Sequence, residues 1–94
     1  MAITKILKYK LNGIGNSTKI TCCRSRILDI QMQEGDMMCW IETRDDCPET
    51  TTEIVSIGTG WEIPSDIMTF TKYIKTIQDS DGFVWHFYEL GSGH

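Results

Sequence analysis

The sequence predicts an all-β (mostly β) domain, a small antiparallel sandwich or barrel of six to seven short strands with at most one short helical turn. Three observations carry this. Apolar and polar residues alternate along most of the chain, the period of a half-buried strand. Turn-forming clusters of Gly, Asn, Asp and Ser recur at roughly 8–12-residue spacing. Nowhere do apolar residues return at the spacing of a helix face over about three turns.

In chain order, Ile3, Lys5, Leu7, Tyr9 and Leu11 point one way and Thr4, Ile6, Lys8 and Lys10 the other, which makes the first strand. Asn12-Gly13-Ile14-Gly15-Asn16 is a turn cluster. Residues 18–23 form a short β-branched run and a second strand. Residues 26–33 alternate well, with Leu28, Ile30 and Met32 expected on one face against Asp29, Gln31 and Gln33. Glu34-Gly35-Asp36 turns the chain tightly into a strand over 37–43, a hairpin by its turn chemistry. Pro48 and charged residues make 44–50 a loop. Residues 51–57 are again β-branched, and Gly58-Thr59-Gly60 ends them. Pro64, Ser65 and Asp66 mark a connector in which 65–73 is the best candidate for a helical turn. Strands over 70–78 and 83–90 flank the Asp79-Ser80-Asp81-Gly82 turn, with Phe83, Trp85 and Phe87 expected on the core face.

Ninety-four residues suit one domain near the lower end of independently folding sizes. Residues 1–90 are read as that domain, and Gly91-Ser92-Gly93-His94 as a linker with the first residue of an appended tag. The hydrophobic fraction of 40% and charged fraction of 23% are ordinary globular values. No apolar run approaches the ~20 residues of a membrane helix, and the N-terminus lacks a signal-peptide core. The expected location is a host cytoplasm, away from membranes. Nine Lys and Arg against thirteen Asp and Glu give a net charge of -4. That balance does not supply the basic face that duplex nucleic acid requires.

Four cysteines raise the disulfide question. Cys22 and Cys23 are adjacent and strained against mutual pairing. Whether Cys39 and Cys47 pair is left open by the sequence. Without a secretory signal the expectation is four reduced thiols. No C-x-x-C pair occurs, so no metal centre and no cofactor is expected.

Gly58, Thr59, Gly60, Trp61, Trp40 and His86 are the candidate ligand-binding residues. Two glycines around a hydroxyl at a strand end can turn backbone N–H groups toward an anion, or can simply permit a sharp turn. Trp61 lies in a loop, where an exposed ring can stack on a nucleobase. Trp40 sits in the run Met37 to Ile41, apolar on both faces, which suits either a central strand or a face against a partner copy. His86 alternates with Trp85 and Phe87. As a general base it needs a partner within hydrogen-bond reach, and a nearby carboxylate is the candidate.

Ile6-Leu7-Lys8-Tyr9, Ile57-Gly58-Thr59-Gly60 followed by Ile63-Pro64, Tyr73-Ile74-Lys75-Thr76 and the aromatic end Val84-Trp85-His86-Phe87-Tyr88 occur in this order. Together they resemble a family of small bacteriophage proteins of unknown function. Two departures stand out. Trp61 follows Gly-Thr-Gly where members often carry His, and Thr21-Cys22-Cys23-Arg24-Ser25 replaces an apolar, Pro-containing segment. The resemblance implies a phage accessory gene and brings no established chemistry. The resulting expectation is a phage-encoded, non-enzymatic binding protein, a homo-oligomer that acts against host defence. It would sequester a nucleotide-type small molecule or block a host protein. A minor virion or assembly component is the alternative from another class, and a small hydrolase using His86 is a third.

Overall fold

The computed structural model describes residues 3–12, 17–63, 65 and 71–90. Seven antiparallel strands form in the expected places: β1 (Thr4–Lys10), β2 (Ser17–Cys22), β3 (Arg24–Gln33), β4 (Asp36–Arg44), β5 (Thr50–Gly58), β6 (Thr71–Gln78) and β7 (Val84–Leu90). They divide into a three-stranded sheet, β1-β4-β3, and a four-stranded sheet, β2-β5-β7-β6. Neither sheet closes on itself, so the sandwich and not the barrel is the architecture. The Cα envelope is 46 × 34 × 16 Å, a thickness that fits two layers about 10 Å apart. Most of the 65–73 segment, the turn at 13–16 and the tail at 91–94 lie outside the described residues. Thr71 to Tyr73 belong to β6.

The inner faces make one core. Ile30, Cys39 and Ile41 from the smaller sheet meet Ile20, Ile54 and Phe87 from the larger one, all nearly inaccessible to solvent. Burying an Ile or Phe in this way contributes about 1.5–3 kcal/mol each. β4 is the central strand of its sheet, with Met37, Cys39, Ile41 and Thr43 inward. This accounts for its near-continuous apolar run. Burial pushes the Cys39 thiol up to about 12, which leaves it an inert apolar side chain at neutral pH. Among the described residues every buried side-chain nitrogen or oxygen has a hydrogen-bond partner.

Two expectations about faces are corrected. A β-bulge between Ile27 and Asp29 shifts the register of β3 against β4. Ile27 therefore faces inward with Ile30 and Met32, and Leu28 is left exposed. Phe83 is 63% exposed because it precedes β7 in the turn and does not continue the Trp85–Phe87 face. That turn is built by Asp79. Its Oδ1 accepts from Asp81 N at 2.9 Å and Phe83 N at 3.0 Å, and its Oδ2 accepts from the Trp85 indole at 2.8 Å. Gly82 supplies the positive φ, 88°, that a side chain rarely adopts.

The cysteines depart from the expectation of four reduced thiols. Cys23 and Cys47 are disulfide-bonded, with Cα atoms 5.6 Å apart. Cys22 and Cys39 are free and buried, so Cys39 is not the partner of Cys47. The physical reason is topological. Cys23 alone carries the chain from β2 in one sheet to β3 in the other, while the loop from β4 to β5 makes the return crossing. Arg44 N donates to Cys23 O at 2.9 Å and holds the two crossings side by side. Below them Arg24 pairs with Glu89 across the sheets and donates to Thr52 Oγ1 at 3.2 Å. Lys75 of β6 pairs with Asp29 of β3 at 2.6 Å, a second bridge between the sheets.

Reduction of the Cys23–Cys47 bond is expected to cost about 3.5 kcal/mol, the chain entropy of the roughly 25-residue loop it closes. Urea unfolding with and without a thiol reductant reads this out as a lower midpoint. An unchanged midpoint would refute the restraint. Asp79 supplies a pH signature. The Trp85 indole bond, followed by the backbone donors of the turn, holds its carboxyl below the usual carboxylate range. Its contribution is therefore complete above the ordinary carboxylate value of about 4 and is lost as pH falls through the depressed one. Asp79→Asn should flatten the acid limb of a Tm-versus-pH curve and leave its neutral limb sloped as in the wild type.

Candidate functional site

β5 ends in Ile57-Gly58 and turns over Thr59 and Gly60 to Trp61. Trp61 N donates back to Gly58 O at 3.1 Å, and Gly60 takes a φ of 87°. Gly58 has a different reason to be glycine. A Cβ there would lie 2.8 Å from the Trp61 ring and 3.1 Å from Cζ3 of Trp85. The bare backbone lets the Trp61 indole lie over the strand end and meet Trp85 edge-on, with centroids 5.3 Å apart and planes at 84°. Trp61 is thus held on one side while 51% of it stays exposed.

Beside it, on the outer face of the four-stranded sheet, runs a chain of polar side chains. Thr59 Oγ1 lies 2.7 Å from Nε2 of His86, and Nδ1 of His86 lies 3.0 Å from Thr76 Oγ1. Thr76 Oγ1 is 2.7 Å from the Tyr73 hydroxyl. The β-ladder explains the alignment, because Ile57, His86 and Thr76 are register partners across β5, β7 and β6. Tyr88 and Tyr73 occupy the next rung and meet edge-on at 5.7 Å. Both ring nitrogens of His86 face hydroxyls, so the carboxylate partner expected for a hydrolase is not what His86 meets. Hydroxyls can donate or accept, and the chain Thr59–His86–Thr76–Tyr73 is satisfied in either direction.

A shallow cavity of about 210 Å³ opens here, lined by Ile57, Gly58, Thr59, Trp61, His86 and Tyr88 among others. Five of the six residues singled out in the sequence, Gly58, Thr59, Gly60, Trp61 and His86, therefore come together. Trp40 does not. It lies on the outer face of the other sheet, beside Ile6, Leu28, Asp29 and Gln31. In the glycine loop, which the sequence leaves open as an anion nest or a sharp turn, Thr59 N donates to Val84 O at 3.3 Å and Trp61 N to Gly58 O. Two of the turn's amides are thus engaged within the protein. Tyr73, Thr76 and Tyr88 were missed in the sequence, although the pairing of β6 with β7 across the Asp79 turn places them on the face of His86.

Fold and site together define a two-sheet β protein with an aromatic and hydroxyl–imidazole corner at one end of the larger sheet. The family comparison places the chain more closely: residues 2–94 match a domain of unknown function, DUF7352, and the chain belongs to that family. No curated protein and no solved structure matches it.

The coupling of Gly58 to Trp61 is open to test. Gly58→Ala should dislodge the Trp61 ring and cost about 1–3 kcal/mol as an overpacking change. Trp61→Ala should cost about 1 kcal/mol, the scale of an aromatic edge contact. The double variant should cost clearly less than the sum, because the ring that blocks the new methyl is gone. Additive costs in a denaturation cycle would refute the packing.

Proposed function

We propose that this is a non-enzymatic binding protein whose recognition element is the Gly58–Trp61 corner, and that its ligand is a nucleotide-type small molecule. The observation that supports this reading is the exposed but fixed indole of Trp61. Its back rests on Gly58 and Trp85, so little conformational entropy is lost when a planar group covers the open side. Stacking of that kind contributes about 1–3 kcal/mol per base. The Thr59 hydroxyl, already bonded to His86, lies with Trp61 in the lining of the hollow and keeps capacity for a further hydrogen bond, which suits the polar edge of a base or a ribose.

Among the described residues the cavity lining holds no Lys or Arg, so phosphates would need cations from elsewhere. A homo-oligomer that brings a neighbouring copy's basic residues to the corner is part of the proposal. The finer reading is that of a phage-encoded protein that sequesters a nucleotide signal of host defence. It rests on the resemblance of the Gly-Thr-Gly loop and the aromatic C-terminal strand to small phage proteins. One observation favours a second reading, a host protein as partner. A hollow of about 210 Å³ is below the 300 Å³ or so of pockets that enclose a small ligand.

Thermal unfolding against cyclic dinucleotides, cyclic trinucleotides and ADP-ribose derivatives separates the two. A ligand at a hundredfold over its Kd stabilises by ~2.7 kcal/mol, which raises Tm by about 10 °C or more in a domain this size. Trp61→Ala should abolish that shift while lowering the unliganded Tm only by the roughly 4–8 °C that its packing cost of about 1 kcal/mol implies. A flat panel would sink the nucleotide reading and leave the protein partner.

A further inference from the structure

The disulfide corner has a second chemical state. Cys23 Sγ, Cys47 Sγ and a carboxylate oxygen of Asp46 all lie within 4.8 Å of one another. They are the only such three-residue group of His, Cys, Asp and Glu among the described residues. We infer that the reduced protein binds a divalent thiophilic cation of the zinc class through Cys23, Cys47 and Asp46, so that the metal replaces the disulfide as the staple between the two sheet crossings.

The donor set is two thiolates and one carboxylate, which suits zinc or cobalt(II) and not calcium or magnesium. Zinc–sulfur bonds of ~2.3 Å and zinc–oxygen bonds of ~2.0 Å set tetrahedral donors just under ~4 Å apart. After reduction the two sulfurs therefore part from the ~2 Å of a disulfide, while the Asp46 oxygen, within 4.8 Å of them, draws in. The part that would move is 45–49, an exposed loop. Cys23 is fixed, being buried and held through its carbonyl by Arg44 N at 2.9 Å. Arg44 also pairs with Asp46 and keeps that carboxylate at the site. Asp45 is engaged elsewhere, accepting from Ile3 N at 2.8 Å, so three protein ligands leave a fourth position for water.

The redox balance is simple. A thiol reductant supplies two electrons, its own two thiols joining as a disulfide while the Cys23–Cys47 bond becomes two thiols. The cation then binds the two thiolates and two protons leave. In a reducing compartment, where disulfides do not persist, the cation would hold the same two crossings that the bond holds under oxidising conditions.

Cobalt(II) titration of the full chain, reduced with a phosphine, tests this. The expected result is a thiolate-to-cobalt charge-transfer band that saturates at one cobalt per chain and disappears on zinc addition. Oxidised protein should show no band, and zinc should raise the Tm of the reduced protein only. Cys47→Ser should lose the band. Asp46→Asn, a change at an exposed loop residue that leaves folding intact, should bind more weakly with the band retained. Absence of the band in reduced wild-type protein would overturn the inference. So would its persistence in Cys47→Ser, which would assign the thiolates to Cys22 or Cys39.

Discussion

A single residue, Cys23, carries the chain from one sheet to the other, and the rest of the sandwich depends on that crossing having no slack. β2 ends at Cys22 in the four-stranded sheet and β3 begins at Arg24 in the three-stranded one. The layers must therefore meet at this corner, whatever happens at the other end. Cys22 falls into the core and Arg24 against Glu89 and Thr52. The ion pair is half-buried and hydrogen-bonded, which limits its desolvation cost. What it adds is the relative position of the sheets.

The opposite end of β5 has the other kind of constraint. There the geometry is set by the absence of a side chain at Gly58 and not by a covalent bond. The Trp61 indole fills the space a Cβ would take, and the Thr59 and Trp61 amides of the turn donate to Val84 O and Gly58 O. The corner therefore offers a planar apolar surface beside hydroxyls and an imidazole, with no Lys or Arg among the described residues that line it. In a chain of net charge -4, the interactions this corner can offer are stacking and hydrogen bonds. The net charge does not favour attraction of an anion at long range.

Local pattern made the strands legible. Period-two alternation set their positions, and Glu34-Gly35-Asp36 and Asp79 to Gly82 marked the two hairpins. Membership of the sheets was not legible, because a crossing and a hairpin use the same turn residues. The bulge at Ile27–Asp29 was hidden for a related reason. One extra residue reverses the face of everything before it, and Leu28 looked as apolar as Ile30. The Cys23–Cys47 pair depends on two crossings that lie together only once the topology is known. At the site, the loop glycines and Trp61 were visible as types. The role of Gly58 as the bed of an indole needed the third dimension.

The crossings and the Gly58 corner lie at opposite ends of β5, nine residues that span about 27 Å. Between them Ile54 and Ile57 are buried and paired through β7. The corner is held by its own turn, by Gly58 beside Trp85 and by the bond of Thr59 to His86, at the end of β5 away from the crossings. Loosening the staple thus lowers the stability of the whole sandwich without rearranging the face that carries Trp61. A chain that keeps its Trp61 corner in the strand ladder and its disulfide in the sheet crossings can change the redox state of one while the other stays in place.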